Sequence, residues 1–439
     1  MKKIICLIIV CMIIISGMFM YNKSDKKDLL EDNNGPIIAA VIDGKASTTF
    51  PTTNKYVATV ECTRNGKKID VNESITWNET KWILTTAISD GNVRCNAIFR
   101  TLTFAETILA NNEVKAPITT PGAAISTADE ALLASAEDDN GTSYYFRGAV
   151  INNYVEFANK CWRIVRVGGD GSVKLVLNND NTAGATNPCS SANNSTTAAF
   201  ARYSGTTYTS KFNTNDNDNA YVGFMYGTAG ASDYATTHAN INKSTILTNL
   251  ESWYTNNLAS YESKLADTIW CNDKSTFSTY TSGSTYGTGL GYGTKITGYG
   301  VYNRIYGGNA ASYASPSLVC PNDNNGGKLS KFTVDDTVNG NGSLTYKIGL
   351  LTADEIAFAG LMVDINNRST YLQENTGGMW WSLSPSYFNG SVATVWRVVL
   401  GYLDNNRVNR SDGLRPVISL ISSTNVTGDG TSEDPYVVD

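Results

Sequence analysis

The chain is poor in the side chains from which most catalytic and metal sites are built. It has a single histidine, His238, and no Cys-x-x-Cys pair. A catalytic triad or a histidine-ligated zinc site needs histidine in a defined constellation, and no nucleophile motif lies near residues 234–240. We therefore expect His238 to be a solvated loop residue, and we exclude chemistry based on histidine.

Charged residues are also scarce, at 17% of the sequence with a formal net charge of −6. Basic residues form no cluster larger than short pairs such as Lys67 and Lys68. Binding to nucleic acid depends on a basic surface that neutralises phosphates, so no nucleic-acid partner is expected. The 24 tyrosines and 38 glycines instead favour an exposed, β-rich surface with adaptable contacts.

A long apolar run is found at residues 4–20, directly after Lys2 and Lys3. At about 1.5 Å per residue it reaches roughly 25 Å, close to the ~30 Å of a bilayer core. We predict that residues 1–21 are a signal anchor that leaves all later residues outside the cytoplasm, followed by a polar tether at 22–35. A cleaved signal peptide and a lipoprotein signal at Cys11 are the alternatives, and both also export the protein.

The cysteines beyond that run agree with export. They are even in number and lack metal-ligand spacing, as is typical of disulfides formed in an oxidising compartment. Two predicted strands carry Cys62 and Cys95 on their apolar faces, so a Cys62–Cys95 bond is expected, worth about 3–4 kcal/mol to a small domain. For the other four cysteines the sequence leaves the connectivity open; Cys161–Cys189 with Cys271–Cys320 is the pairing we select, and buried free thiols are the alternative.

Strand and helix patterns divide the exported part. Alternating apolar residues predict a small all-β domain at 36–100, followed by a short helix and linker at 101–140. The main domain, 141–439, contains a predicted hairpin at 161–177, an amphipathic helix capped by Ser244, and a capping box from Thr352 to Glu355. Polar, low-complexity stretches near 178–240 and 275–343 are expected to be insertions.

Several motifs carry a resemblance. Leu351-Thr-Ala-Asp-Glu-Ile-Ala-Phe-Ala-Gly360 resembles the helix start of formylglycine-generating-enzyme-like (sulfatase-modifying-factor-type) domains, which have a C-type-lectin-like fold. Trp380-Trp-Ser-Leu-Ser-Pro385 and Gly413-Leu-Arg-Pro-Val417 resemble paired strand motifs near the end of that domain. Together with Tyr144-Tyr-Phe-Arg-Gly148 and Trp162-Arg-Ile-Val-Arg166, they also resemble an uncharacterised family of gut-Firmicutes surface proteins over nearly the whole sequence.

This resemblance implies an α+β fold class. The expected architecture is a C-type-lectin-like mixed domain with few short helices and long polar insertions, preceded by a transmembrane anchor and a small all-β domain. Catalysis is not implied, because the sulfatase-modifying enzymes depend on a C-terminal cysteine pair and no cysteine follows Cys320. No cofactor is expected; for the oxygen-rich residues 213–219 a solvated loop and a calcium site are the alternatives.

The segment between the two C-terminal motifs, residues 387–412, is the expected ligand-binding site, and we call it the contact segment. Its apolar positions alternate with aromatic, Arg and Asn side chains of the kind that dominate recognition surfaces. The alternatives are ordinary polar loops and a hypervariable segment like those of diversity-generating retroelement targets. The predicted ligand-binding residues are Tyr387, Asn389, Arg397, Tyr402, Asp404, Asn405, Asn406, Arg407, Asn409 and Arg410.

The sequence thus predicts a single-pass, membrane-anchored protein of the cell surface. Its extracytoplasmic, lectin-like domain is expected to bind a glycan or a protein outside the cell, as in adhesion, and not to be an enzyme. One alternative is an exported enzyme acting on polysaccharide, for which Asp354, Glu355 and Asp404 are the candidate carboxylates. The other is a passive structural protein of the surface.

Overall fold

A computed structural model describes residues 37–70, 73–85, 92–118, 130–278, 290–306, 315–363, 366 and 369–438. The predicted anchor and tether lie outside these residues. Within the described part, no helix combines the length and the apolar character needed to cross a membrane. The protein divides into two compact units, Met1–Leu102 and Thr103–Asp439.

The first unit is built from strands. A five-stranded sheet has the order β2-β1-β7-β3-β4, and β5 and β6 form a separate hairpin. The strands are β1 (Ile37–Ile42), β2 (Lys45–Ser47), β3 (Tyr56–Arg64), β4 (Lys67–Ile69), β5 (Ser74–Trp77), β6 (Trp82–Thr85) and β7 (Val93–Thr101).

Alternation along β7 explains this small core. Val93, Cys95, Ala97 and Phe99 are buried while the residues between them face outward, as the two-residue period of a strand requires. Cys62 on β3 lies directly opposite Cys95 and is bonded to it. The Trp82 ring lies 5.4 Å from Phe99 and adds apolar area to a core that is otherwise small.

The second unit contains the remaining elements. Its strands are β8 (Ala131–Asp138), β9 (Gly141–Gly148), β10 (Tyr154–Phe157), β11 (Lys160–Val167), β12 (Val173–Asn179), β13 (Thr209–Lys211), β14 (Met225–Tyr226), β15 (Asn242–Lys243), β16 (Trp270–Cys271), β17 (Thr276–Phe277), β18 (Thr297–Tyr299), β19 (Lys331–Phe332), β20 (Trp380–Phe388), β21 (Ala393–Val399), β22 (Tyr402–Arg407), β23 (Ser411–Gly413), β24 (Val417–Leu420), β25 (Val426–Thr427) and β26 (Tyr436–Val438). In the described ranges, its α-helices are α1 (Phe104–Asn111), α2 (Tyr234–Thr237), α3 (Thr245–Asn257), α4 (Gly300–Ile305) and α5 (Ala353–Phe358).

Two larger sheets organise this unit. An eight-stranded sheet has the order β24-β12-β11-β10-β26-β25, and β9 joins β8 to β11. A seven-stranded sheet has the order β13-β23-β20-β18-β17, with β21 and β22 added beside β20. The hairpin predicted at 161–177 is β11 and β12, which pair antiparallel.

The expected fold class is wrong. Instead of an α+β, C-type-lectin-like domain, the protein is mostly β, with 36% strand, 15% helix and several sheets. Strands arise where the sequence predicted irregular structure: residues 131–138, assigned to the linker, pair along their length with β9. The two expected insertions supply core residues, among them Phe200, Phe212 and Phe332.

Side-chain caps set the starts of the helices. Thr103 and Thr352 each form a complete capping box, with Glu106 and Glu355 at the third helical position. Ser244 accepts from the backbone N–H of Leu247 and begins α3, whose apolar stripe is buried. The caps predicted at Ser244 and Thr352 are therefore confirmed.

The Trp-Trp and Leu-Arg-Pro motifs are neighbours only where they begin. Trp380 pairs with Gly413 in parallel, but β24 then joins the eight-stranded sheet while β20 stays in the other. Both motifs are buried. They therefore link the two sheets at the base of the contact segment.

The structure joins the cysteines of this unit as expected. The bonds are Cys161–Cys189 and Cys271–Cys320, in addition to the Cys62–Cys95 bond of the first unit. Cys161 and Cys189 pack together with Tyr154 on the neighbouring strand β10.

Candidate functional site

The contact segment is mostly regular sheet rather than polar loop. It runs from the end of β20 through β21 and β22 to β23, and β21 pairs with β20 on one side and β22 on the other. Leu400 and Gly401 both have positive φ and form the two-residue turn between β21 and β22. That turn class matches the twist of antiparallel strands, so the hairpin is geometrically well defined.

Burial separates the inner from the outer positions of the segment. Val395, Trp396, Val398, Leu403 and Val408 are inaccessible to solvent. Each of the ten predicted ligand-binding residues is exposed or half-buried. The structure therefore places all ten at the surface of a packed scaffold, but on two different faces.

Arg397 and Asp404 lie on one face and bind each other. Arg397 Nη2 lies 2.9 Å from Asp404 Oδ2, and its Nη1 lies 3.2 Å from Asp412 Oδ2. Burial raises the pKa of Asp412, and the neighbouring Arg397 counteracts that rise. These side chains hold β21, β22 and β23 together, so they have less capacity left for a ligand.

The other face brings Tyr387, Asn405 and Arg407 together. Thr394 on β21 lies opposite Arg407 and exchanges hydrogen bonds with the backbone of Tyr387. Asn405 lies opposite Trp396 on the same face. The three side chains therefore come from neighbouring strands of one sheet, with Arg407 exposed and the other two half-buried.

Aromatic residues from an earlier part of the sequence extend this face. The Tyr302 ring on α4 lies 5.4 Å from Tyr387, 5.4 Å from Tyr306 and 5.8 Å from Trp396. Phe277 on β17 stacks on Tyr302 at 6.4 Å. We call Phe277, Tyr302, Tyr306, Tyr387, Asn405 and Arg407 the recognition surface.

The sequence predictions missed Phe277, Tyr302 and Tyr306. They fall in the stretch 275–343, whose Gly/Ser/Tyr-rich composition indicated an insertion. The available signal was the spacing of Tyr302 and Tyr306, because residues four apart lie side by side on a helix. Nothing local showed that this helix would pack beside β20.

The remaining predicted residues have other surroundings. Asn389 Oδ1 accepts from backbone N–H groups of the β20–β21 turn, and Asn406 Oδ1 accepts from the Arg407 backbone N–H. Tyr402 and Asn409 are half-buried, and Arg410 is exposed. Asn389 and Asn406 therefore mainly shape the backbone that presents their neighbours.

A groove lies beside the end of β22. The backbone N–H of Asn213 donates to Val408 O at 3.0 Å, which fixes the loop that forms one wall. The groove is lined by the rings of Tyr221 and Tyr226, 5.4 Å apart, and by the amide and hydroxyl groups of Asn215 and Thr248. Its empty volume is about 520 Å³, open mouth included.

A separate cleft is lined by charged side chains, and we call it the charged cleft. Its empty volume is about 670 Å³, open mouth included. Glu355 on α5 accepts from Lys174 Nζ at 2.6 Å and from Arg166 Nε at 3.2 Å. Another cation of the cleft, Arg304, binds Asp354 and Asp273, each at 2.9 Å.

These ion pairs set the protonation of the charged cleft. Burial alone would raise the pKa of Glu355, but Lys174 and Arg166 lower it to about 2. Burial opposes the charge on Arg304, while Asp354 and Asp273 raise its pKa. Glu355 also accepts from the backbone N–H of Thr352 at 3.0 Å. Its carboxylate is thus ionised and saturated at neutral pH, which makes it a poor general acid.

His238 is a correction to the sequence prediction, because it is buried rather than solvated. Its Nε2 lies 2.9 Å from Gly291 O, and its ring lies 4.6 Å from that of Tyr234. Burial, with help from Lys274, holds the pKa of His238 well below its usual range. Burial also lowers the pKa of Lys274 to about 7.

Among the oxygen-rich residues 213–219, Asp218 uses its carboxylate for hydrogen bonds within the protein. Asp218 Oδ1 accepts from the backbone N–H of Ala220, and Oδ2 accepts from that of Gly230. In the described ranges, no three His, Cys, Asp or Glu side chains are grouped as metal ligands would be. The possibility of a calcium site in this loop thus gains no geometric support.

Compared with family models, curated proteins and solved structures, the sequence and fold match none. The resemblance to surface proteins of gut Firmicutes therefore stays a prediction from the motifs. Function must be inferred from the surfaces themselves.

Proposed function

We propose that this protein is a membrane-anchored binding protein of the cell surface, and that its recognition surface contacts an extracellular ligand. One observation carries the proposal. Half-buried aromatic rings from α4, β17 and β20 lie in contact with one another beside Asn405 and the exposed Arg407. Interfaces and ligand sites rely on this pairing of rigid aromatic area with a few placed hydrogen-bond donors.

The backing of this surface supports a role in recognition. Trp396 is fully buried with its ring 5.8 Å from that of Tyr302, and the paired Val398 and Leu403, further along the same face, are fully buried too. A ligand therefore meets side chains whose backbone is already fixed, and binding costs less ordering entropy. The groove at Tyr221 and Tyr226 is a second surface of similar chemistry beside the same strand.

A glycan is the favoured ligand. Ring faces offer flat apolar area to the C–H faces of a sugar, while Asn and Arg side chains match its hydroxyl groups. In the charged cleft, by contrast, the carboxylates are paired with cations. An enzyme acting on polysaccharide needs an acid that can release a proton, and Glu355 is held ionised.

The proposal is tested by glycan-array binding of the full-length protein and of Tyr302→Ala, Tyr387→Ala and Arg407→Ala combined. We expect the glycan signal of the wild type to be lost, because the triple variant removes two rings and the exposed guanidinium. The matched control, Tyr261→Ala with Lys328→Ala, alters a ring and a cation elsewhere in the same unit. It should bind like the wild type.

Two outcomes would contradict the proposal. Equal glycan binding by the wild type and the triple variant would show that the recognition surface is not where the glycan binds. In that case Tyr221→Ala with Tyr226→Ala shows whether the groove is responsible. Cross-linking to a cell-surface protein, with no glycan signal, would make the partner a protein.

Attachment to the membrane is tested separately. The motivating feature is the apolar run at residues 4–20 after two lysines. We expect the intact mass of the protein extracted from membranes to include residues 1–21, since an anchor is retained. A mass that lacks this segment would show a cleaved signal, and an added lipid mass at Cys11 would show a lipoprotein.

A further inference from the structure

Arg415, in the Leu-Arg-Pro motif, is buried with one nitrogen unused. Its exposed fraction is 1%. Nε donates to Leu177 O at 2.9 Å, and Nη1 donates to Leu372 O at 2.6 Å. Nη2 is buried and meets no hydrogen-bond partner among the described residues. A buried guanidinium group without its full set of partners is costly, so this nitrogen needs an explanation.

Other buried polar atoms near Arg415 are also without partners in the described part of the protein. They include the hydroxyl group of Tyr371, which is 3% exposed, and the indole nitrogen of Trp380, whose ring centroid lies 4.9 Å from the Arg415 guanidinium carbon. Tyr371 directly precedes the residue whose carbonyl binds Arg415 Nη1. These are donors that water from the bulk does not reach. Unpaired donors around one buried cation indicate a bound group that the polypeptide does not supply.

The charges around Arg415 do not balance within the described residues. A second buried arginine, Arg163, lies with its guanidinium carbon 5.4 Å from the Tyr371 ring. Glu374 is bound by Arg163 at 2.5 Å, and it also accepts from Tyr154 and Asn178. Arg415 donates to carbonyl groups only, and burial lowers its pKa to about 9. Among Arg163, Arg415 and Glu374, one positive charge therefore lacks a carboxylate of its own, and the Trp380 ring offsets only part of it.

We propose that a small monovalent inorganic anion of the halide class binds beside Arg415. Arg415 Nη2 and the Tyr371 hydroxyl are its donors. A single negative charge compensates the surplus guanidinium, whereas an ordered water molecule would satisfy the donors and leave the charge. The enclosed position favours a small ion over phosphate or a carboxylate ligand, which are larger. The site would stabilise the junction where the Leu-Arg-Pro motif passes between the two sheets.

The first test is thermal unfolding of the full-length protein at constant ionic strength. Chloride or bromide replaces gluconate, an anion too large for an enclosed site. Because a ligand that binds the folded state raises its stability, we expect the melting temperature to rise by about 3 °C or more as halide increases a hundredfold. Arg415→Lys and Tyr371→Phe should each reduce this halide dependence.

A matched control separates the site from general destabilisation. Leu250→Val shortens a fully buried side chain of α3 and should lower the melting temperature while keeping the wild-type halide dependence. If Arg415→Lys does not fold, the wild type and Tyr371→Phe still decide. Equal melting temperatures of the wild type in halide and gluconate would overturn the proposal.

The second test locates the ion directly. Crystals of the full-length protein grown in bromide should show an anomalous scattering peak in contact with Arg415 Nη2. The peak should be absent from crystals grown in gluconate. Ordinary water density at this position in both crystals would show that a water molecule, and not an anion, satisfies the donors.

Discussion

The charged cleft and the recognition surface are both polar, yet they use their polar groups in opposite ways. In the charged cleft, Glu355 is 5% exposed and accepts from Lys174, Arg166 and a backbone N–H group. On the recognition surface, Arg407 is exposed and Asn405 half-buried. The first region uses its hydrogen-bonding capacity inside the protein, and the second presents it to solvent.

In a protein with many polar residues, function is best sought where polar groups are not all paired with one another. A pocket lined by charges attracts attention, but ionised groups that satisfy one another mainly fix a structure. The recognition surface instead places the exposed Arg407 beside half-buried rings, and this is the region where we propose that a ligand binds. Substitutions in the two regions test this difference.

The largest effect is expected for Glu355→Ala. It leaves Lys174 buried without a carboxylate partner and removes one of the two acids bound by Arg166. Breaking a buried ion pair costs about 3–5 kcal/mol, so the free energy of unfolding in urea should fall by that amount. Glu137→Ala, at an exposed position, is the control. A loss below about 1 kcal/mol would mean that the cleft charges are not structural.

A second prediction concerns pH and the buried bases His238 and Lys274. Both have a lower pKa in the folded than in the unfolded protein, so the unfolded state binds more protons. Stability should therefore decrease as the pH falls from about 10 to 7 through Lys274, and further below about 6.5 through His238. Asp273, Asp323, Tyr234 and Tyr299 face these bases and are part of the same environment.

Urea unfolding at pH 9, 7 and 5.5 measures this dependence. We expect a loss of at least about 1 kcal/mol between pH 9 and 5.5, since each pKa unit corresponds to about 1.4 kcal/mol. Lys274→Met should flatten the upper part of the curve. Glu355 does not interfere, because its stabilisation is lost only below its unfolded pKa, about 4.5. Stability that rises on acidification would contradict the buried, neutral state of His238.

A smaller effect on stability is expected for Arg397→Ala, because the ion pairs of Arg397 are more exposed than those of Glu355 but less exposed than the side chain of Arg407. Its partner Asp404 is 36% exposed and Asp412 is 7% exposed, and the exposed fraction of Arg397 is 13%. Exposed pairs contribute up to about 1 kcal/mol and breaking a buried pair costs about 3–5 kcal/mol, so the free energy of unfolding should fall by about 1–2 kcal/mol. Arg410→Ala is the exposed control and should have less effect. A loss as large as that of Glu355→Ala would show that the ion pairs of the contact segment are as important for stability as those of the charged cleft.

The smallest stability change is expected for Asn405→Ala with Arg407→Ala. Surface substitutions usually change stability by no more than about 0.5 kcal/mol, and circular dichroism melts should confirm this. Ligand binding should weaken at least about fivefold, as expected for residues that contribute about 1 kcal/mol or more to an interface. Weak binding together with a large stability loss would show that these residues support the fold instead.

Much of the local structure could be predicted from the sequence. The alternating faces of β3 and β7 located Cys62 and Cys95, and the hairpin of β11 and β12 followed from its Gly-Gly-Asp-Gly turn. The caps at Ser244 and Thr352 were found because a capping side chain and its target lie within three residues. Each of these features depends on contacts between near neighbours in sequence or on strand periodicity.

The candidate site could be predicted only in part. The contact segment was located, and its ten residues do lie at the surface. Their division between two faces was not visible, because it depends on the register of β20, β21 and β22. Tyr302 and Phe277 were missed, since their stretch resembles a polar insertion by composition alone. The predicted fold class was wrong partly for the same reason, because β13 and β18, in stretches expected to be insertions, pair with the distant strands β23 and β20.

The amino-acid sequence alone was enough to indicate the Cys62–Cys95 bond, the helix starts at Ser244 and Thr352, and the polar and aromatic side chains of the contact segment. Those features are local, or follow from strand periodicity. The tertiary structure, in contrast, fixed which polar groups are paired inside the protein and which face solvent. It buried His238, saturated Glu355, left Arg415 short of a partner, and brought Tyr302 against Tyr387, because burial and pairing depend on segments that meet from distant parts of the sequence.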